Sequence, residues 1–158
     1  MAWCILRPNS FLQNILAFCA PTIRMQGEFY GSVGNARFSY VDVRDVSAVA
    51  ARVLAGGHDG QVYDLNGPEA LTNGDIAAKI TAATGVGAKY VDIPVDAQRA
   101  AMLGQGMPEW QVTALLDLQA YYTGGRGGEV DGTLAQLLGR APRTAEEFLK
   151  EFADAFRA

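Results

Sequence analysis

Two short strand-like segments, the apolar run Trp3-Cys4-Ile5-Leu6 and Gln61 to Asn66, are separated by a long stretch of mostly helical periodicity, and that separation narrows the folds open to the chain. Antiparallel neighbours can be joined by a tight turn, whereas parallel neighbours need a crossover of about a dozen residues or more, usually containing a helix. The two segments are therefore expected to lie side by side as parallel strands. The first stops at Arg7-Pro8, as a buried strand does where it meets a turn. Leu12, Ile15, Leu16 and Cys19 then fall on one helical face, and Pro21 should end or kink that helix. Gly31, Gly34 and Asn35 mark turns around a short strand at Phe29-Tyr30. Phe38 to Val41 reads as a further strand, and Val46, Val49, Ala50 and Val53 as a helix stripe that ends near Gly56-Gly57.

Gly67-Pro68 closes the strand that ends at Asn66. Thr72 and Asp75 form a capping-box pattern for a helix that turns Ile76, Ile80 and Ala83 inward and stops at Gly85. Tyr90 to Ile93 is a strand ended by Pro94, after which every remaining element reads as helical. One helix covers Asp96 to Leu103. Pro108 opens another, with Ala114, Leu115, Leu118 and Tyr122 as its apolar stripe. Gly124 to Gly128 is expected as a flexible loop, followed by a short helix at Thr133 to Leu138. The last helix opens on Thr144 and Glu147 and should bury Phe148, Phe152 and Phe156. The order is α/β with a helical tail, a single domain over residues 1–158 with no internal linker.

Composition narrows the function. A net charge of −4 leaves no basic footprint for nucleic acid. No run approaches the ~20 apolar residues of a membrane span, and Arg7, Pro8, Asn9, Gln13 and Asn14 break any signal-peptide core. Cys4 and Cys19 sit in apolar sequence without CxxC spacing, so free thiols in a reducing, cytoplasmic setting are expected. One His and two such Cys cannot build a zinc site, and no metal ligands are assigned. His58, between Gly57 and Asp59, reads as a loop residue rather than a base.

Dinucleotide binding needs a glycine-rich turn between a strand and the helix after it, so that backbone N–H groups reach the pyrophosphate. The nearest imitation, Gly85-x-Gly87, has Tyr at position 90 and leads into a strand. Gly124 to Gly128 with Arg126 could form an anion nest, yet it follows a helix and lacks the βαβ setting. Tyr40 with Asp42 and Asp45 suggests acid–base chemistry, but either Asp can instead cap the next helix. No Gly-x-Ser-x-Gly elbow is present, and no catalytic residue is assigned.

Four segments resemble the NmrA-like proteins, atypical short-chain dehydrogenase/reductases. They are Leu6-Arg7-Pro8-Asn9-x-Phe11-x-x-Asn14, Phe38 to Val46, Tyr63 to Thr72, and Leu138-Gly139-Arg140-x-Pro142-Arg143-Thr144 with Glu147-Phe148. The first normally lies past the middle of the family's chain. The resemblance therefore implies the C-terminal, substrate-side portion of a Rossmann-like fold, with a few-stranded, mainly parallel sheet and a helical subdomain. It implies NAD(P) as cofactor, with Pro8, Asn9 and Phe11 as one wall of a cofactor and substrate pocket and Asn14 near its substrate edge; Tyr40 and Trp110 are further substrate-side candidates read from the residues themselves. The family's reductase machinery pairs a Tyr with a Lys four residues on, and none of Lys79, Lys89 and Lys150 has such a partner. The N-terminal dinucleotide-binding half is expected to be missing, and the chain alone is expected neither to hold the dinucleotide nor to turn over. The bared sheet and helix faces predict a homo-oligomer, a dimer foremost, or a complementary N-terminal chain. Two other readings stand beside this one. One is a non-enzymatic oligomeric module holding a small hydrophobic or aromatic ligand near Phe11, Trp110 and Met102 to Met107. The other is the remnant of a redox-sensing regulator.

Overall fold

In a computed structural model, residues 2–157 are described. Strands β1 (Cys4–Pro8) and β3 (Gln61–Leu65) are parallel neighbours in the register Ile5↔Val62, Leu6↔Tyr63 and Arg7↔Asp64. The crossover between them carries α1 (Ala20–Gln26), β2 (Glu28–Gly31) and α2 (Val43–Leu54). β2 pairs in parallel with β4 (Lys89–Asp92), giving a second two-stranded sheet that the sequence reading did not foresee. α3 (Asn73–Thr84) leads into β4, and α4 (Val95–Gly104), α5 (Glu109–Tyr121), α6 (Thr133–Leu138) and α7 (Ala145–Glu151) complete the helical tail.

Local chemistry sets the boundaries. Thr72 and Asp75 make a reciprocal capping box at the start of α3, as do Thr144 and Glu147 at the start of α7. Gly85 takes the left-handed conformation that ends α3. Pro21 does not end its helix. The preceding turn, Ile15–Cys19, widens so that the Ala20 N–H reaches back five residues to the Ile15 carbonyl. That wide turn accommodates a ring that would otherwise press on the carbonyl four residues earlier.

Two expectations need correction. Phe38 to Val41 is extended but is not a strand, because its hydrogen bonds go to three different segments. Phe38 pairs with Leu71, the Ser39 N–H donates to Gly127, and Val41 exchanges bonds with Ser10 and Leu12. In α5, Val112 and Leu116 are buried rather than the expected stripe, since the helix packs along a narrow seam against α4. Trp110, Leu118 and Tyr121 remain exposed.

Two cores hold the fold together. The larger joins α1, β2, α3 and α7 through Leu12, Ile23, Phe29, Ile76, Ile80 and Phe148. The smaller lies between the β1–β3 sheet and α2 and α6, with Val41, Val49, Leu65 and Leu134 at its centre. This second core covers only one face of the sheet. On the other face the paired Ile5 and Val62, with Trp3 just before them, are 42–52% exposed. A parallel sheet is ordinarily covered on both faces.

Candidate functional site

The C-terminal ends of β1 and β3 open onto a cleft of about 250 Å³ lined by Arg7, Pro8, Asn9, Asp64, Asn66, Tyr121, Tyr122, Arg126 and Glu129. In α/β proteins this end of the strands is where ligands bind. A neighbouring cleft of about 580 Å³ runs from Val33 and Arg37 past Tyr122 to Gly125 and Glu129. Tyr122 and Glu129 belong to both, so they form the ridge between the two.

Asn9 and Asn66 of the smaller cleft belong to a set of hydrogen bonds that ties together all four segments on which the family resemblance rests. The Asn9 Nδ2 donates to Asn66 Oδ1 and to the Gly127 carbonyl, both at 3.0 Å, while its Oδ1 accepts from the Ser10 N–H at 2.7 Å. The Asn9 N–H bonds to the Leu65 carbonyl, and the Gly67 N–H to the Ser39 carbonyl. Gly67 is required there, because a Cβ would stand 1.7 Å from the Tyr40 carbonyl oxygen. Asp45, wholly buried at the start of α2, accepts from Arg140 Nη2 at 2.6 Å, from the Arg143 N–H at 2.7 Å and from Arg143 Nη1. Glu69 accepts from the Ala145 N–H at 3.1 Å. The residues that look like signatures of chemistry are thus largely fasteners.

The candidate residues separate on this geometry. Pro8 and Asn9 line the cleft, although both amide protons of Asn9 are already spent within the protein. Phe11 bridges to Val41 and packs into the smaller core, and Asn14 lies on the exposed side of the turn that follows. The Tyr40 hydroxyl donates to Asn73 Oδ1 at 3.3 Å, and burial drives its pKa far above the ordinary tyrosine range. Trp110 is 73% exposed on α5, and neither it nor Met102 or Met107 lines either cleft. Tyr121, Tyr122 and Glu129 were missed from sequence because α5 looked like a packing helix, and Arg126, weighed as part of an anion nest, was set aside because the glycine run looked like a free loop. That run is anchored: the Gly127 carbonyl accepts from both Asn9 and Ser39.

Tyr40, Asp42 and Asp45, the group that suggested acid–base chemistry, line neither cleft. Asp42 caps α2 through the Arg44 N–H. Burial raises its pKa, but hydrogen bonds from Arg44 and Gln13 outweigh that and leave the carboxyl below its ordinary value. All three lysines pair with surface glutamates. Burial pushes the Cys19 thiol up to about 12, which leaves it inert at neutral pH. Among the described residues no cluster suited to a metal ion exists, and no helix is long and apolar enough to cross a membrane.

The ends of β1 and β3 offer no glycine-rich cradle for the pyrophosphate of a nicotinamide dinucleotide. That pyrophosphate needs glycines at a strand-to-helix turn with room above the backbone. After β1 the chain runs Arg7-Pro8-Asn9-Ser10, with no glycine. After β3 it has Gly67, whose open side is filled by Tyr40, and Gly74 in the first turn of α3, where the Thr72–Asp75 capping box already places a carboxylate at the helix start. Gly85 and Gly87 join a helix to a strand, the reverse of what is needed.

No family model matches the chain. It is 40% identical over 159 aligned residues to the NAD(P)H azoreductase of Xenophilus azovorans, an alignment that takes in 100% of this chain and 55% of the relative. To quinone oxidoreductase 2 of Escherichia coli (strain K12) it is 30% identical over 148 residues, 93% of this chain and 51% of the relative. The crystal structure of that quinone oxidoreductase complexed with NADPH superposes with a TM-score of 0.86 at 29% identity, covering 96% of this chain and 53% of that one. NmrA, a negative transcriptional regulator crystallised with NAD, shares the fold at a TM-score of 0.66 and 14% identity, over 98% of this chain and 53% of its own. The chain spans about half the length of the curated relatives it matches. It is homologous to NAD(P)H-dependent oxidoreductases over that half, and its fold is that of part of an NmrA-like Rossmann structure.

Proposed function

We propose that this chain is the acceptor-side, C-terminal half of an NmrA-like NAD(P)H-dependent oxidoreductase, and that its 158 residues neither hold the dinucleotide nor turn over without a complementary half. The observation that carries the reading is the contrast at the strand ends. A polar cleft with Pro8 and Asn9 on its wall sits where such enzymes bind ligands, yet the turn after β1 has no glycine, Gly67 after β3 is blocked by Tyr40, and the start of α3 at Gly74 is already capped by the Asp75 carboxylate. The relatives named for reducing azo compounds and quinones point to a flat, conjugated acceptor.

The bare face of the β1–β3 sheet supports the same reading, because Trp3, Ile5 and Val62 need a cover and both outer strand edges are unpaired among the described residues. The complementary half covers them in the working enzyme. Alone, the chain associates as a two-fold dimer through this face, and sedimentation at micromolar concentration should find two copies.

The test is complementation. The purified chain is mixed with a separately produced N-terminal half of the Xenophilus azovorans azoreductase, and NADPH oxidation is followed with a quinone acceptor. Turnover that needs both parts is expected. Turnover by this chain alone, or a folded hetero-complex that oxidises nothing, would contradict the reading.

A further inference from the structure

The smaller cleft holds one cation, Arg126, that makes no ion pair among the described residues. Arg7 also faces the cleft, but its guanidinium grips Asp64 through two bonds of 2.8 and 2.9 Å, directly across the β1–β3 register. Arg126 has no carboxylate within ion-pair distance among the described residues. Instead it stacks on Tyr121, with its central carbon 5.5 Å from the ring centroid.

The backbone that carries this pair is fixed on both sides. Tyr122, set edge-on to Tyr121 at 5.8 Å, packs against Phe38 at 4.7 Å and accepts from Ser10 Oγ at 3.2 Å. Gly125 takes a left-handed conformation, and the Gly127 carbonyl is held by Asn9 and Ser39. A Cβ at Gly127 would lie 2.4 Å from the Tyr122 ring, so the chain must pass there as glycine. An arginine stacked on tyrosine from a pinned backbone presents a flat, positively charged shelf at low ordering cost.

We propose that Tyr121 and Arg126 form the acceptor-selecting wall of the cleft, favouring a planar aromatic ligand that carries an anionic group. The ring system lies along Tyr121 and the anion meets the free guanidinium edge. Glu129, on the ridge beside it, carries the opposing charge and limits the preference. This wall rests on the acceptor-side reading for its role in turnover, but not for its binding preference.

Two inert probes of matched shape separate charge from shape: naphthalene-2-sulfonate and the neutral naphthalene-2-sulfonamide, titrated into the 158-residue chain by calorimetry with amide chemical shifts read alongside. The sulfonate should bind about 5-fold more tightly, ~1 kcal/mol, with its largest shifts at residues 121–128. Arg126→Ala should remove the preference, Arg126→Lys should keep part of it, and Glu129→Gln should raise sulfonate affinity about 2-fold. Arg24→Ala, an exposed cation on α1, should change nothing. Equal binding of the two probes, a preference that survives Arg126→Ala, or no binding of either at millimolar concentration would overturn the assignment. Failed complementation with this preference intact would sink the oxidoreductase reading and leave the wall standing. Successful complementation with no Arg126 effect would do the reverse.

Discussion

Asp45→Ala should be strongly destabilising although it leaves the hydrophobic cores untouched. The carboxylate is fully buried and receives three bonds, two from guanidinium groups and one from the Arg143 backbone. Bonds to charged groups contribute roughly 1.5–3 kcal/mol each, which sets a ceiling of about 4.5–9 kcal/mol. Arg140 and Arg143 are 45% and 36% exposed, however, so both can take up water once the carboxylate is gone. Their rehydration places the loss near the low end of what breaking a buried pair costs, about 3 kcal/mol. Against a domain stability of about 5–15 kcal/mol that is a large fraction. Urea unfolding at fixed protein concentration reads it directly: with a slope of about 2 kcal/mol/M, the midpoint should fall by roughly 1–2 M. Asp45→Asn, which keeps acceptor oxygen but no charge, should fall between the two. A midpoint shift below about 0.3 M for Asp45→Ala would refute the view that this clasp binds the start of α2 to the segment before α7.

Two further outcomes concern the turn after β3 and the caps of α2 and α3. Gly67→Ala should fail to fold or lose at least about 3 kcal/mol, because its methyl would meet the Tyr40 carbonyl at 1.7 Å; near-native urea stability would show that the turn after β3 can shift. Acid should weaken the fold from about pH 4 downward. The carboxyl pKa values of Asp42 and Asp75 are depressed in the folded chain, so their stabilisation is complete above the unfolded value and is lost as pH falls through the folded one. In Asp42→Asn that acid limb should be shallower by circular dichroism, and an unchanged limb would count against the Asp42–Arg44 pair as its source.

The sequence made the scaffold readable where local chemistry and long-range order agreed. Capping at Thr72 and Thr144, the stop at Gly85 and the parallel pairing of β1 with β3 all follow from residue types at fixed spacing. The site was harder to read, because its walls come from segments that meet only in three dimensions. Asn9 reads alone as a turn residue, and only its bonds to Asn66 and Gly127 show it to be a fastener. Phe38 to Val41 looked like a strand because β-propensity does not report where backbone bonds will go. Arg126 was legible as a possible anion contact, but the glycines around it suggested mobility rather than the close passage beside Tyr122 that demands them.

On the function proposed above, these residues supply the acceptor side of the enzyme and do not grip its cofactor. Calorimetric titration of the purified 158-residue chain with NADPH tests it most directly. The account predicts no saturable heat up to millimolar ligand, and binding that appears once the complementary half is added. A dissociation constant in the micromolar range for the chain alone would contradict it.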